Sequence, residues 1–408
     1  AVQDTVTALP AGGATSAVLK FTGRASHLVT FAAPGDVLNL QYGGLLRSNE
    51  QFDAIIGTPT NRGVLTAGGT ESSGLRELVI FNQAKGTPNG NGTSSTVAGS
   101  PIVTGISTWG FRPGMTIGGT ASFAPGTTVL SVDSDTQLTM STNATATNTA
   151  NRRLDFGAFL SGATTLNSTV VTMISTLGIG PGMTISGTGI PLGSFVVSVD
   201  TPTQVTISRP AVSTQSNQNL VLGISELVVN SVIADNGAGN RVGLTKSGNG
   251  TLTLTAANTY TGGTVLNQGV INVTASANNT IVIPAGGVTV NGGQSGAFAH
   301  LNVLSQGAID ATNDLTINGS GRVTFPTLTT NTLRSLTFNN VGGESGGSNL
   351  SFVGIGANSI LRLTSLNAVT ATSSNGRITS AINEGSLSLA AGNNIFDIDG
   401  IRLPGQAD

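Results

Sequence analysis

The side chains that most often carry catalysis or bind metals are scarce in this 408-residue sequence. It has two histidines, His27 and His300, and no cysteine. A Ser-His-Asp triad or a histidine metal site would need one of the two, yet neither lies in a nucleophile-elbow or HExxH sequence. We therefore interpret both histidines as structural residues.

Two pairs of carboxylates are spaced for shared chemistry, Asp133 with Asp135 and Asp397 with Asp399. On a strand, residues i and i+2 share a face, so each pair could bind Ca²⁺ or supply the acid and base of a glycosidase. The first pair falls in a predicted turn and recurs as Asp200 with Pro202, which argues against a shared essential role. The second pair alternates with apolar residues near the end of the sequence. We interpret both pairs as solvated surface, and the absence of a repeated GGxGxD nonapeptide disfavours a calcium-loaded roll.

Three further features have a chemical and a structural interpretation, and the structural one is favoured for each. Trp109 corresponds to Leu177 in a duplicated segment, so apolar packing explains it better than a sugar-stacking platform. Tyr260 is expected at a corner with its hydroxyl in water. The run Gly248-Asn249-Gly250 precedes a strand rather than a helix, so it is a corner and not a phosphate loop. The sequence thus predicts no catalytic, cofactor-binding or metal-binding residue and no cofactor, and we expect a protein that is not an enzyme.

The elements that carry these residues are predicted to be short β-strands. Apolar and polar residues alternate by two, as in TLTLT at 251–255, and no stretch shows an apolar period of 3.6 over a helical length. Charged residues make up 9 % of the chain and 57 residues are glycine, a composition that by itself suggests disorder. However, 38 % of the residues are hydrophobic and can bury a continuous apolar column. The predicted fold class is all-β: a parallel β-helix (β-solenoid) with two inserted or appended small β-modules. Stacked asparagines at its corners are expected to form hydrogen-bonded ladders.

An internal duplication supplies the two modules. The sequence PGMTI at 113–117 returns at 181–185, and VLSVD at 129–133 returns as VVSVD at 196–200. The matched blocks alternate by two, so each copy is predicted to be a small all-β unit.

The duplicated copies interrupt the rest of the chain. They lie between residues 77–82 (ELVIFN) and 226–230 (ELVVN), which look alike. We interpret the copies as modules inserted into the solenoid or budding from it, and the alternative is that they are wider coils of it. The predicted domains are an N-terminal cap with the first solenoid coils at 1–92, the first module at 93–160, the second module at 161–224 and the main solenoid at 225–408.

One stretch of the sequence resembles a known family. LTKSGNGTLTL at 244–254, NTYTGGT at 258–264 and NQG at 267–269 follow the pattern of the autotransporter-associated β-strand repeat, also called the passenger-associated transport repeat. A weaker resemblance covers most of 225–400. The family implies a secreted, right-handed parallel β-helix that is displayed at, or shed from, a bacterial surface. Residues 182–191 (GMTISGTGIP) also resemble small β-modules of bacterial surface and phage proteins.

The charge and hydropathy of the sequence argue against nucleic acid as a partner and against a transmembrane helix. The formal net charge is −2 and lysines occur only at Lys20, Lys85 and Lys246, so no basic patch for nucleic acid is predicted. No apolar run approaches the ~18 residues of a transmembrane helix.

We expect a structural or adhesive extracellular protein of a bacterial surface, displayed at the outer membrane. It would serve as a β-solenoid stalk or as a self-assembling filament subunit. Its partners would be further copies of itself, in filament or head-to-tail contacts, or a ligand on a host or cell surface. The alternatives are a polysaccharide-acting β-helix enzyme and a phage tail-fibre segment.

Overall fold

The regular elements of the described part of the chain are all β-strands. The computed structural model describes residues 6–22, 27–50, 53–70, 73–84, 94–106, 116–118, 122–124, 127–134, 136–152, 155–157, 159–173, 176, 185–191, 194, 196–222, 226–275, 277–292, 299–340, 351–373 and 380–399. Across these ranges no helix is long and apolar enough to cross a membrane.

The strands fall into four groups along the chain. Before the duplication lie β1 (Val6–Ala8), β2 (Gly13–Phe21), β3 (His27–Thr30), β4 (Val37–Glu50), β5 (Ala54–Ile56), β6 (Val64–Ala67) and β7 (Gly74–Ala84). The first copy holds β8 (Ser94–Thr96), β9 (Ile102–Thr104), β10 (Thr116–Gly118), β11 (Val129–Ser134), β12 (Gln137–Met140), β13 (Asn148–Arg152) and β14 (Asp155–Gly157). The second holds β15 (Phe159–Thr164), β16 (Val170–Met173), β17 (Ile185–Ser186), β18 (Val196–Thr201), β19 (Gln204–Ile207) and β20 (Gln215–Leu222).

The fourth group follows the second copy. It comprises β21 (Leu227–Val229), β22 (Val232–Ile233), β23 (Asn240–Ser247), β24 (Thr251–Leu254), β25 (Thr264–Leu266), β26 (Gly269–Val273), β27 (Val288–Asn291), β28 (Ala299–Val303), β29 (Asp314–Asn318), β30 (Arg322–Thr324), β31 (Thr330–Leu333), β32 (Ser335–Asn340), β33 (Ser351–Gly354), β34 (Ile360–Leu363), β35 (Asn367–Ser373), β36 (Ser380–Asn383), β37 (Ser386–Ser388) and β38 (Ile395–Asp399).

Three parallel sheets run along the molecule as the faces of a β-helix. A ten-stranded sheet has the order β1-β3-β5-β21-β24-β26-β28-β30-β33-β36, a twelve-stranded sheet runs from β2 and β4 to β38, and a three-stranded sheet is β31-β34-β37. Successive coils stack in register, so that Leu252 aligns with Ile271 and Ile271 with Leu301. The predicted fold class, a parallel β-helix, is confirmed.

The interior is one apolar column built by alternation along the strands. In β24 the side chains of Leu252 and Leu254 point inward and are fully buried, whereas Thr251 faces outward. One cluster of buried side chains extends in this way from Leu19 to Val369. Burial of a Leu or Val side chain stabilises the fold by about 1.5–3 kcal/mol, so the repeated inward residues are the main force that holds the coils together.

The two long sheets continue across the duplicated segment. In the ten-stranded sheet β5 pairs with β21, with Ala54 opposite Leu227, and in the twelve-stranded sheet β7 pairs with β23, with Leu78 opposite Leu244. Residues 77–82 and 226–230 look alike but do not occupy equivalent positions in their coils, because β7 and β21 belong to different sheets. The coil position of β7 is instead repeated by β23.

The two copies fold as antiparallel units with their own cores. Their sheets have matching orders, β11-β12-β9-β8-β13 and β18-β19-β16-β15-β20-β17, and the bulges between β11 and β12 recur between β18 and β19. Separate buried clusters form around Val103 and Val171. Because parallel coils do not pair in this way, the alternative of wider coils is wrong. Strand β15 crosses the predicted module boundary at 160/161, and the domain limits otherwise stay predictions.

Candidate functional site

The outward face of the ten-stranded sheet carries two neighbouring columns of side chains. Since Leu252, Ile271, Leu301 and Val323 enter the core, the residues next to them in β24, β26, β28 and β30 face outward. Register aligns them into one column of amides and hydroxyls and a second column with an imidazole, a guanidinium and a phenyl ring. We call this group the polar ribbon: Thr253, Asn272, Asn302, Thr324, His300, Arg322 and Phe352.

The first column is joined by hydrogen bonds from coil to coil. Asn272 Nδ2 donates to Thr253 Oγ1 (3.4 Å), Asn302 Nδ2 donates to Asn272 Oδ1 (3.2 Å), and Thr324 Oγ1 donates to Asn302 Oδ1 (2.9 Å). His300 Nε2 lies 2.8 Å from Thr324 Oγ1. Because the Thr324 proton goes to Asn302, His300 must donate, which assigns its proton to Nε2. The column is thus a directional ladder that spans four coils.

The second column combines a cation with an aromatic ring. The guanidinium carbon of Arg322 lies 5.7 Å from the centroid of the Phe352 ring, within the range of a cation–π contact. Burial lowers the pKa of His300, and the positive charge of Arg322 lowers it further, so the imidazole is neutral at pH 7. All three side chains are half-buried. Among the residues that the structure describes, no carboxylate pairs with Arg322.

A buried acid pair lies at the end of the polar ribbon where the chain re-enters the solenoid. The Glu226 N–H donates to Asp53 Oδ1 (2.9 Å), and the Glu226 carboxyl group accepts a hydrogen bond from the Thr253 hydroxyl. Burial and the nearby Asp53 charge raise the pKa of Glu226 to about 8, against the lowering effects of a hydrogen bond from Asn272 and the charge of Arg47. Glu226 is therefore mostly protonated at pH 7. Sequence reasoning did not single out these acids, whose only signal is a charge beside a short apolar run.

Two further buried polar side chains, Arg47 and Asn82, lie where the chain before the duplicated copies meets the chain after them. Arg47 Nη1 donates to Asn82 Oδ1 (2.7 Å), and Asn82 Nδ2 donates to the Thr251 carbonyl oxygen (2.6 Å). Arg47 and Asn82 are fully buried. They precede the duplicated copies in sequence and Thr251 follows them, so these bonds tie together the two ends of the interruption.

Lys246 shows why a lysine stands in the repeat pattern. Its Nζ donates to the backbone carbonyls of Ser247 (2.9 Å), Gly248 (2.6 Å) and Gln268 (3.0 Å). Burial lowers the pKa of Lys246 to about 7, whereas three acceptors match the three protons of an ammonium group and favour the charged form. The side chain fastens the corner after β23 to the next coil.

That corner also requires glycine. Gly248 has φ 76° and Gly269 has φ 81°. A Cβ on Gly269 would lie 2.5 Å from the carbonyl oxygens of Gly248 and Gly250. As predicted, the run from Gly248 to Gly250 is a corner before a strand.

The structure corrects one expectation and places the histidines. The Tyr260 hydroxyl is not in water: the side chain is fully buried in the core, and its OH lies 2.6 Å from Thr264 Oγ1. Burial raises the pKa of Tyr260, against the opposing effect of that hydrogen bond. His27 is buried with its ring 5.8 Å from that of Phe21. His300 lies in the polar ribbon, with its Nε2 2.8 Å from Thr324 Oγ1.

Asp133 of the first predicted pair and its counterpart Asp200 each accept hydrogen bonds within a hairpin. Asp133 accepts from Ser131 Oγ (2.6 Å) and Thr139 Oγ1 (2.7 Å), and Asp200 repeats this with Ser198 (2.7 Å) and Thr206 (2.8 Å). Burial would raise the pKa of Asp133, but these hydrogen bonds and one from Gln137 outweigh it and lower the pKa. Hydrogen bonds likewise lower the pKa of Asp200. Each aspartate therefore braces a hairpin.

The remaining candidate residues lie near the end of the described residues or outside them. Asp397 and Asp399 lie on β38, the last strand of the twelve-stranded sheet, opposite Thr370 and Thr372. Asp135, Trp109 and Leu177 lie outside the described residues. Within the described ranges, no three His, Asp or Glu side chains gather into a possible metal site.

Asparagines form a second ladder at the edge of the twelve-stranded sheet. Asn291 Nδ2 donates to Asn267 Oδ1 (2.8 Å), and Asn318 Nδ2 donates to Asn291 Oδ1 (2.6 Å). The expected ladder of corner asparagines is confirmed at this edge.

Comparison with known proteins identifies one segment. Residues 244–273 match the family model described as the passenger-associated-transport-repeat. No curated protein sequence matches the chain. Among solved structures, the chain is similar to the tailspike protein gp49 from Pseudomonas phage LKA1, with 11 % identity over 93 % of this chain and 69 % of that one and a TM-score of 0.17. At this score the likeness supports no conclusion about function.

Proposed function

We propose that this chain is an extracellular, surface-displayed bacterial β-solenoid with a structural and adhesive role. The observation that carries the proposal is the passenger-associated transport repeat at 244–273, which forms β23 to β26 at the centre of the two long sheets. The repeat supplies the inward leucines, the Lys246 corner and the Gly269 turn of a coil. Outer-membrane display is part of the proposal because the repeat is named for the passengers of autotransporters, which are displayed at a bacterial surface.

The solenoid serves as a rigid carrier. Hydrogen-bonded ladders and a continuous apolar column resist bending, and the two antiparallel modules add surface to the rod. We expect the ligand or partner to be another surface molecule rather than nucleic acid, since the net charge is −2.

Catalysis is not part of the proposal. The acid pair of Glu226 and Asp53 is buried, so neither carboxyl group can reach a polysaccharide chain on the surface. This burial disfavours the alternative of a polysaccharide-acting enzyme.

Display is tested by placing the chain between a signal peptide and the translocating domain of an autotransporter in a Gram-negative host. Intact cells should bind an antibody to the chain, and added protease should release a folded fragment. Retention in the periplasm, with antibody binding only after lysis, would contradict surface display.

A filament is the second candidate, favoured by the low charge of the chain. Charged residues make up 9 % of the sequence and the net charge is −2, so little electrostatic repulsion opposes contact between copies. Negative-stain electron microscopy at rising concentration should then show uniform filaments, whereas short separate rods would favour the stalk. A trimer in sedimentation equilibrium would favour the phage tail-fibre alternative.

A further inference from the structure

The polar ribbon differs in chemistry from two outward columns of the twelve-stranded sheet. The twelve-stranded sheet presents aligned threonines, Thr289, Thr316 and Thr337, and its neighbouring ladder consists of amides. Neither combines a cation with an aromatic ring. In the polar ribbon Arg322 and Phe352 stand side by side with His300 and a column of amides.

Among the described arginines of the main solenoid, Arg322 is the one that lies beside an aromatic ring and a column of amides. Arg334 is paired with Asp314, and Arg241 Nη2 donates to the Thr261 carbonyl oxygen (2.8 Å). No hydrogen bond or ion pair joins Arg322 to another described residue, and its side chain is half-buried. A guanidinium binds a carboxylate through two parallel hydrogen bonds.

The neighbouring groups suit a polyhydroxylated ligand. Half-buried amides and a hydroxyl, on Asn272, Asn302 and Thr324, recur at the strand spacing of about 4.8 Å and can exchange hydrogen bonds with sugar hydroxyls. Phe352 offers an apolar face. Glu226, which is in register with the column of His300 and Arg322, is buried and mostly protonated at pH 7, so it does not repel an anion.

We propose that the polar ribbon binds a carboxylate-bearing oligosaccharide that lies across successive coils. Arg322 binds the carboxylate, Phe352 packs against a sugar ring, and the amide column bonds to hydroxyls. This inference rests on the proposed adhesive function and specifies the class of its ligand.

The test is calorimetric titration of the purified chain with oligogalacturonate, with maltodextrin as a neutral probe and sodium sulfate as a simple anion. Wild-type protein should bind oligogalacturonate more tightly than either. Arg322→Gln should weaken that binding at least about tenfold, because a hydrogen-bonded charge pair is lost. Arg322→Lys keeps the charge but not the bidentate geometry, and should also bind more weakly than wild type.

The matched control is Arg362→Gln, which makes the same change at an exposed position of β34 in the three-stranded sheet. It should bind like wild type, and all variants should retain the wild-type circular dichroism spectrum. Absence of oligogalacturonate binding, equal binding of maltodextrin or sulfate, or an equal loss in Arg362→Gln would each overturn the proposal. The surface-display experiment does not depend on ligand binding. A negative titration would therefore overturn the ligand assignment and leave the display result unaffected.

Discussion

The buried carboxyl of Glu226 should make the stability of the solenoid depend on pH. Its pKa is about 8 in the folded chain because of burial and the Asp53 charge, against an ordinary value of 4.5. Below pH 4.5 both folded and unfolded states hold the proton. As pH rises from 4.5 to 8, the unfolded state loses its proton while the folded state retains it, so the free energy of unfolding falls. Above pH 8 the loss is complete and constant.

Glu226→Gln should remove this loss. Glutamine has the shape of protonated glutamate and keeps a donor and an acceptor at the same place, so the bond with Thr253 can be preserved. The full shift corresponds to at most about 5 kcal/mol. Local relaxation around the buried group reduces the effect, and we expect the variant to gain about 1–3 kcal/mol over wild type at pH 8.5 and nothing at pH 4.5.

Equilibrium urea unfolding at pH 4.5, 6, 7.5 and 8.5 measures the difference. Glu77→Gln is the matched control, since Glu77 is an exposed carboxylate that likewise accepts a hydrogen bond from a threonine, Thr245. The burial contribution is missing there, so the control should lack the rising gain. A Glu226→Gln variant that is equally destabilised at every pH would refute the assignment of a protonated, hydrogen-bonded carboxyl group.

Three further outcomes are expected. Tyr260→Phe should lower the free energy of unfolding by about 1–2 kcal/mol, because Thr264 Oγ1 is left buried without its partner; a Thr264→Val background should abolish most of this loss in urea unfolding. Lys246→Met should cost about 2–4 kcal/mol in the same assay, since three carbonyl oxygens lose their donor, and an unchanged midpoint would contradict the corner role. The carboxyl carbons of Asp133 and Asp200 should titrate below the ordinary aspartate pKa in NMR. The stability that each carboxylate contributes is therefore present above the ordinary pKa and is lost as pH falls through the lowered pKa. Stabilisation of the modules by added Ca²⁺ would instead favour a metal site.

The repeat could be predicted in detail because its local signals agree. Alternation of leucine with threonine placed β24 within one residue of its observed bounds. Coil stacking then followed from the family pattern.

The polar ribbon could not be predicted from the sequence for a physical reason. Its residues come from β24, β26, β28, β30 and β33, and their alignment depends on coil lengths that vary from about 19 to about 30 residues. Without that register, Arg322 and Phe352 are isolated residues. Strand β30 is only three residues long and β28 follows a Gly/Ser-rich run, so neither gives a clear period. The sequence did not predict that Tyr260 is buried, because only the geometry of the corner shows that Thr264 forms a hydrogen bond with its hydroxyl.

Continuity of the parallel sheets across the duplicated modules is tested most directly by a disulfide between register partners. Leu75 on β7 and Arg241 on β23 face each other at exposed positions, and neighbouring strands place their Cα atoms about 4.8 Å apart, within the range for a disulfide. The chain contains no cysteine, so the variant L75C/R241C reports on this pair alone. Mild oxidation should give an intramolecular cross-link, seen by mass spectrometry and non-reducing electrophoresis, while L75C/R362C stays reduced. Failure of L75C/R241C to close in folded protein would contradict a continuous solenoid that carries inserted modules.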